Sequence, residues 1–201
     1  MNKFKIKNIE MDGHYDTRRI YNVSDYIGYK KFTKKFSNIP EWSQLKLIGS
    51  RVALWILIND LTVTVTLKND TYLQFKFKAG FIWDQASVPF FKNNDIQEII
   101  AAMVHDALFS LHLLYPKDNN KGFRAANKLF KSMVYYAIDN MVKDEGYSSF
   151  KRAMMRIKSR WHYRAVMSIF GRARYETDSP RRAFWHKKTV QFDCTRKGEW
   201  V

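Results

Sequence analysis

Four polar side chains in the middle of the sequence are close enough along the chain to act together. Asp84 and Ser87 precede a long apolar run, and His105 and Asp106 lie inside it. Imidazole nitrogens and carboxylate oxygens together can hold a divalent metal ion and activate water for hydrolysis. Asp84, His105 and Asp106 are therefore candidate metal ligands. With Ser87, they are the candidate catalytic residues of a hydrolase whose cofactor would be a divalent metal.

A structural role for the same four residues is the alternative that the sequence favours. Asp84 and Ser87 would cap a loop and the start of the next helix, while His105 and Asp106 would tie that loop to the core by hydrogen bonds. The residues around Ser87 also lack the Gly-x-Ser-x-Gly elbow that presents a nucleophilic serine. The balance favours a protein that is not an enzyme, and the hydrolase stays open.

The periodicity of the apolar residues places His105 and Asp106 on a buried helix. Asp95 and Glu98 form a capping box, and apolar residues at helical spacing follow, which predicts a helix over residues 95–114. The second face of this helix is also mostly apolar, so we expect the helix to be buried. Buried ionisable groups need partners, so the loop and a neighbouring helix must supply them.

Two more helices are predicted, over residues 123–143 and 148–170. In the second helix, Asn127 lies on the inward face, among apolar residues at helical spacing: Phe123, Ala126, Phe130, Met133, Ala137 and Met141. The third helix has an apolar stripe with its basic residues largely off it, the pattern of a helix that packs on a core. That stripe consists of Phe150, Met154, Ile157, Trp161 and Ala165.

The strands are predicted from alternation. Residues 61–67 and 72–77 alternate apolar with polar around a turn, which predicts a β-hairpin, and residues 52–58 are a candidate buried partner strand. We therefore predict a single α+β domain over residues 1–171, in which a small antiparallel sheet packs against about three helices, followed by a basic C-terminal extension over residues 172–201.

The positive charge is large and concentrated towards the C-terminus. The formal net charge is +16, and residues 151–201 carry 14 Lys or Arg against 4 Asp or Glu, a net of +10. Such a field favours acidic partners. Nucleic acid, acidic neighbours in an assembly and a merely solvated face stay open. The candidate residues for binding nucleic acid or a partner are Arg172, Arg174, Arg181, Arg182, Lys187 and Lys188.

Three blocks of the sequence carry a resemblance to a known family. They are Phe81-x-x-Asp84-x-Ala86-Ser87-Val88-Pro89, Ala101-Ala102-x-x-His105-Asp106-x-Leu108-Phe109, and Arg124-x-Ala126-Asn127-x-x-Phe130-x-x-Met133. In order and spacing they resemble the small phage and prophage proteins grouped as domain of unknown function 1353, over about residues 60–171. The resemblance implies a bacteriophage or prophage origin and no settled activity. Asn127 stands where the family usually has Asp, and an amide is a poorer metal ligand than a carboxylate.

We therefore expect a phage-encoded accessory or virion-associated protein that acts by binding other phage proteins in an assembly. A metal-dependent phage hydrolase and a basic nucleic-acid-binding protein are the alternatives. The sequence shows no secretory signal and no membrane span, so the host cytoplasm or the virion is the expected location. The single cysteine, Cys194, suits a reducing compartment, and with only His186 as a nearby imidazole it is expected to be a bystander.

Overall fold

The computed structural model describes residues 4–20, 54–83, 96–144, 148–167, 186–196 and 199–200. These residues form eight strands and three long helices, which confirms the predicted α+β class. In chain order the strands are β1 (Ile6–Asp12), β2 (Thr17–Ile20), β3 (Leu54–Leu57), β4 (Leu61–Leu67), β5 (Thr71–Phe77), β6 (Ile82–Trp83), β7 (Val190–Arg196) and β8 (Glu199–Trp200). The helices are α1 (Ile96–Leu111), α2 (Asn119–Asp144) and α3 (Ser149–Val166).

The strands form two antiparallel sheets. The larger sheet has the order β1-β4-β5-β7-β8, and the smaller has the order β2-β3-β6. The predicted hairpin is β4 and β5, in which Val63 lies opposite Phe75 and Val65 opposite Leu73. The strand expected over residues 52–58 is present as β3, but it pairs with β2 and β6 rather than with the hairpin.

Alternation fixes which face of the hairpin is buried. Because successive side chains point to opposite faces of a sheet, the aliphatic and phenylalanine side chains of β4 and β5 all reach the core, while Thr62, Thr64 and Gln74 do not. Asp70 closes the turn with a φ of +56°, and its amide donates to the carbonyl oxygen of Leu67 over 3.0 Å. Asp is one of the few residues that accept this left-handed conformation without large strain.

The helices lie close to their predicted positions. Every side chain of α1 over residues 99–110 is buried, which confirms that both faces of this helix are covered. Helix α2 begins four residues earlier than predicted, because the Asp118 carboxylate accepts a hydrogen bond from the backbone amide of Lys121 over 2.9 Å and caps the first turn. The same bond lowers the pKa of Asp118. No helix in the described part of the chain combines the length and apolarity needed to cross a bilayer.

The predicted C-terminal extension contains a strand of the main sheet. Strand β7 pairs with the whole of β5, from Val190 opposite Phe77 to Arg196 opposite Thr71. The Phe192 ring lies on Phe75, with the centroids 4.9 Å apart. Residues 190–196 therefore belong to the domain, and the boundary placed at residue 171 does not hold for them. A short strand over residues 189–192 is suggested by the sequence, but the polar composition hid its full length and its place in the main sheet, because only Val190, Phe192 and Cys194 pack against the core.

The orientation predicted for α3 is wrong. Its apolar stripe faces solvent, with the residues exposed by 75% (Phe150), 50% (Met154), 47% (Ile157) and 59% (Trp161). The opposite face packs on α2, where the Lys131 ammonium lies 4.6 Å from the centroid of the Tyr163 ring and Arg156 forms an ion pair with Asp139. These contacts, together with Met155, which packs against the core, fix the helix on the domain, and the apolar stripe does not.

Two glycines provide a test of the loop geometry. Gly13 and Gly80 both have a positive φ, +106° and +91°. A Cβ on Gly13 would lie 2.6 Å from the carbonyl oxygen of Asp60, whereas a Cβ on Gly80 would meet nothing within 4 Å. We expect both alanine variants to lose stability to backbone strain, and Gly13→Ala to lose about 1–3 kcal/mol more. Urea unfolding of the two variants measures this difference, and equal losses would contradict the close approach.

Candidate functional site

The predicted site residues are only partly within the structure described. Six of them, Asp84, Ser87, Arg172, Arg174, Arg181 and Arg182, lie outside the described residues. His105 and Asp106 lie in α1, as predicted. Lys187 and Lys188 are exposed in a single helical turn, residues 186–189, that leads into β7.

His105 forms a buried hydrogen bond with Asn127 that joins α1 to α2. The distance from His105 Nε2 to Asn127 Oδ1 is 3.0 Å, and the two residues are 7% and 0% exposed. Asn127 Nδ2 donates to the carbonyl oxygen of Phe123 over 2.9 Å, which directs Oδ1 towards the imidazole. An amide oxygen only accepts, so the proton of the neutral imidazole lies on Nε2.

The other imidazole nitrogen is enclosed by protein. His105 Nδ1 lies 3.9 Å from Oδ1 of Asp106, too far for a hydrogen bond, and the ring lies between Phe109 and Phe130 at centroid distances of 4.0 and 5.0 Å. A general base needs a ring nitrogen within reach of its substrate. Burial of His105 among aromatic rings opposes that role and suits a link between helices.

Two of the three candidate metal ligands, His105 and Asp106, lie within the residues that the structure describes. His105 and Asp106 are neighbours on α1, and their buried side chains are only 9% and 11% exposed. Within the described ranges, no three His, Cys, Asp or Glu side chains lie close enough together to hold a metal ion. Asn127 occupies Nε2 of His105, so a metal ion would be left with Nδ1.

Sequence reasoning missed a second buried polar pair, Ser110 of α1 and His186. The Ser110 hydroxyl contacts Nδ1 of His186, and Nε2 of the same ring lies 2.8 Å from the carbonyl oxygen of Ile82 in β6. The imidazole also lies against the Phe81 ring, with the centroids 4.6 Å apart. The pair therefore joins α1, β6 and the start of the C-terminal strand at one point.

The proton positions of this pair follow from its partners. A carbonyl oxygen only accepts, so Nε2 of His186 donates to Ile82, and Nδ1 of the neutral ring accepts from the Ser110 hydroxyl. Ser110 Oγ also lies 2.8 Å from the backbone carbonyl oxygen of Asp106. If His186 were protonated, Nδ1 would donate to Oγ and the hydroxyl would turn to Asp106. Both protonation states are thus satisfied by groups already in place.

Ser110 and His186 form a serine–histidine pair that solvent and substrates do not reach. Both residues are buried, so a substrate could not reach the Ser110 hydroxyl. A nucleophilic serine must be presented to its substrate and supplied with an oxyanion hole. The pair is therefore a structural link. The sequence signal for it was His186 directly after two large aromatic residues, Phe184 and Trp185, in an otherwise polar segment.

Cys194 has the character of an inert thiol. It lies on β7 opposite Leu73, and burial raises the pKa of its thiol. His186, its nearest imidazole along the sequence, is engaged by Ser110 and Ile82. The thiolate fraction at neutral pH is therefore lower than for a free cysteine, and reactivity falls with it.

The exposed apolar side of α3 is bordered by a row of arginines that runs round the helix towards α2. We call Phe150, Met154, Ile157 and Trp161 the α3 seam, and Arg152, Arg156, Arg160 and Arg164 the arginine row. A hollow of about 610 Å³ lies between the arginine row and Asp139 of α2, and a smaller one of about 190 Å³ is lined by Ile157, Arg160, Trp161 and Arg164. The helix has six Lys or Arg and no Asp or Glu, so its outer surface is strongly cationic.

No protein-family model matches this chain, and neither a curated protein nor a solved structure is significantly similar to it. The resemblance to the phage family stays a prediction that depends on the three sequence blocks.

A double-mutant cycle tests the link between His105 and Asn127. We expect His105→Phe and Asn127→Leu each to lower the free energy of unfolding by about 1–3 kcal/mol, because each leaves a buried polar partner unpaired. The double variant should lose at least about 1 kcal/mol less than the sum of the two. Arg124→Ala, exposed on the same helix, is the control. Additive losses, or stoichiometric metal that disappears in His105→Phe, would overturn the structural role.

The raised pKa of Cys194 gives a second test. We expect the native thiol to react with an aromatic disulfide reagent more slowly than the thiol of the urea-unfolded chain at the same pH. The native rate should keep rising with pH beyond the range in which an ordinary thiol is fully ionised. A native rate equal to or above the unfolded rate would show an activated thiol instead.

Proposed function

We propose that this chain is a bacteriophage-encoded accessory or virion-associated protein that acts by binding another phage protein. The α3 seam is the observation that carries this proposal. Four large apolar side chains lie in one exposed row on a helix that is otherwise well anchored. Burying one such side chain contributes about 1.5–3 kcal/mol relative to full exposure, and contiguous exposed apolar surface usually marks an interaction site.

The polar pairs of α1 support binding over catalysis. His105 and Ser110 are buried, and each is hydrogen-bonded to a group of another structural element. They have the partners expected of residues that hold a fold together. The phage origin is supported by the resemblance of the three sequence blocks, and with it the host cytoplasm or the virion as the place of action.

Nucleic-acid binding is the second candidate, and the arginine row favours it. Arginines at four-residue intervals line one side of α3, and the exposed Trp161 at the end of the row offers a ring on which a base could stack. Met154 and Ile157, however, would meet no apolar counterpart on a phosphate backbone. The apolar seam therefore ranks a protein partner above nucleic acid.

Incorporation into phage particles tests the proposal. Met154 of the seam and Met11 of β1 are exposed to a similar degree, 50% and 43%, so their serine variants form a matched pair. We expect the native chain and Met11→Ser to co-purify at constant stoichiometry with the particle or a defined assembly intermediate. Met154→Ser should be lost from it while its free energy of unfolding changes by less than about 0.5 kcal/mol.

Two outcomes contradict the proposal. The first is absence of the native chain from particles and from assembly intermediates, and the second is incorporation of Met154→Ser at the native level. Salt-dependent binding of single-stranded or duplex DNA that is lost in Arg152→Ala and Arg160→Ala, but kept in Met154→Ser, would support the second candidate instead.

A further inference from the structure

We infer that α3 receives an acidic amphipathic helix of the partner, packed along the α3 seam as in a two-stranded coiled coil. This inference rests on the proposed function and names the chemistry of its partner. Phe150, Met154, Ile157 and Trp161 are separated by four, three and four residues. This is the heptad spacing of a coiled-coil seam, and it extends over about three helical turns.

The heptad register assigns each exposed side chain of α3 a position. Met154 and Trp161 fall at position a, and Phe150 and Ile157 fall at position d. Residues at positions a and d insert between the side chains of a facing helix, so a partner helix would bury the whole seam. The opposite face of α3 is already fixed on α2 through Tyr163 and Arg156.

The charges beside the seam determine which kind of partner helix would fit. Positions e and g flank the seam, and they hold Lys151, Lys158 and Arg160 together with the neutral Ala153. In a parallel pair position g faces position e of the partner, and in an antiparallel pair like positions face each other. An antiparallel second copy of α3 would therefore oppose lysine to lysine, and a parallel copy would place Lys158 opposite Ala153 and form no ion pair. Asp or Glu at these positions of a partner helix would instead add an ion pair at each cation.

The arginine row extends the acidic recognition towards α2. Of its four members, only Arg156 has a carboxylate partner within the part of the chain that the structure describes, and that partner is Asp139. Arg152 and Arg160 lie one turn to either side of Arg156 and line the same hollow of about 610 Å³. A guanidinium binds a carboxylate through two parallel hydrogen bonds, so acidic side chains entering this hollow would be well held.

An anionic membrane and nucleic acid fit the surface less well. A basic amphipathic helix can lie on anionic lipid, but lipid headgroups have no fixed spacing that matches the arginines lining the hollow one helical turn apart. Nucleic acid would use the arginine row and leave Met154 and Ile157 exposed. A helix with apolar residues at its own a and d positions and acidic residues beside them satisfies both parts of the surface.

Two designed peptides test the inference on the full-length protein. Both have three heptads with Leu at positions a and d; one has Glu at positions e and g, and the other has Lys. We expect calorimetry to show that the acidic peptide binds at least about tenfold more tightly than the basic one. Raising the salt concentration should weaken the acidic complex, since its flanking ion pairs lie at the surface.

Variants of α3 separate the seam from the charges. Ile157→Ser should weaken binding of the acidic peptide at least about tenfold, and Met11→Ser should leave it unchanged. The triple variant Lys151→Glu, Lys158→Glu, Arg160→Glu should prefer the basic peptide. Failure of this reversal, or equal binding of the acidic peptide to Ile157→Ser, would overturn the inference.

The remaining occupants of the seam are outcomes of the same measurements. Self-association of the protein that Ile157→Ser abolishes would assign the seam to a second copy. The acidic peptide could fail to bind while the protein floats with phosphatidylglycerol vesicles or binds a single-stranded DNA oligonucleotide. If that binding depended on Ile157, the seam would be assigned to lipid or to nucleic acid. Incorporation into particles that still depends on Met154, without acidic-peptide binding, would refute the acidic helix and leave the proposed function intact.

Discussion

The constraint on which the structure depends is that α1 is covered on every side. All of its side chains over residues 99–110 are buried, so each polar group on it must find a partner within the protein. His105 forms a hydrogen bond with Asn127 of α2, and Ser110 forms one with His186, which precedes β7 in the chain. These two bonds add to the apolar packing of α2 and to the pairing of β7 with β5, and each is costly to break because a buried imidazole would be left without its partner.

The same constraint explains why residues that look catalytic are better understood as parts of the fold. Histidine, serine and aspartate on one helix are the residue types of a hydrolase. A catalytic imidazole, however, keeps a nitrogen for its substrate, whereas His186 uses both of its nitrogens on protein groups. In His105, Asn127 occupies one ring nitrogen, and burial of the residue separates the other from solvent. An amide holds the imidazole in one tautomer without adding a buried charge, which a carboxylate at this position would do.

Most of the fold was predictable where the signal is local. The β4–β5 hairpin and the core of α1 follow from alternation and helical spacing within a few residues. The start of α2 at Asn119 was missed, although the capping residue Asp118 stood directly before it. The pairing of β7 with β5 and the Ser110–His186 link were missed for a different reason. Each depends on contact with residues about 80 to more than 100 positions away, and no periodicity within a short segment reports such a contact.

The orientation of α3 shows what helical spacing can and cannot determine. The spacing of Phe150, Met154, Ile157 and Trp161 correctly gives one apolar stripe, but the stripe alone does not say whether the covering surface belongs to the same chain. The opposite face contains Tyr163 and Arg156, which suit the cation and the carboxylate that α2 offers. The seam is flanked by cations on both sides. The spacing that predicted an inward-facing stripe is therefore equally the spacing required for the proposed docking of an acidic helix, and only the charges beside the stripe distinguish the two cases.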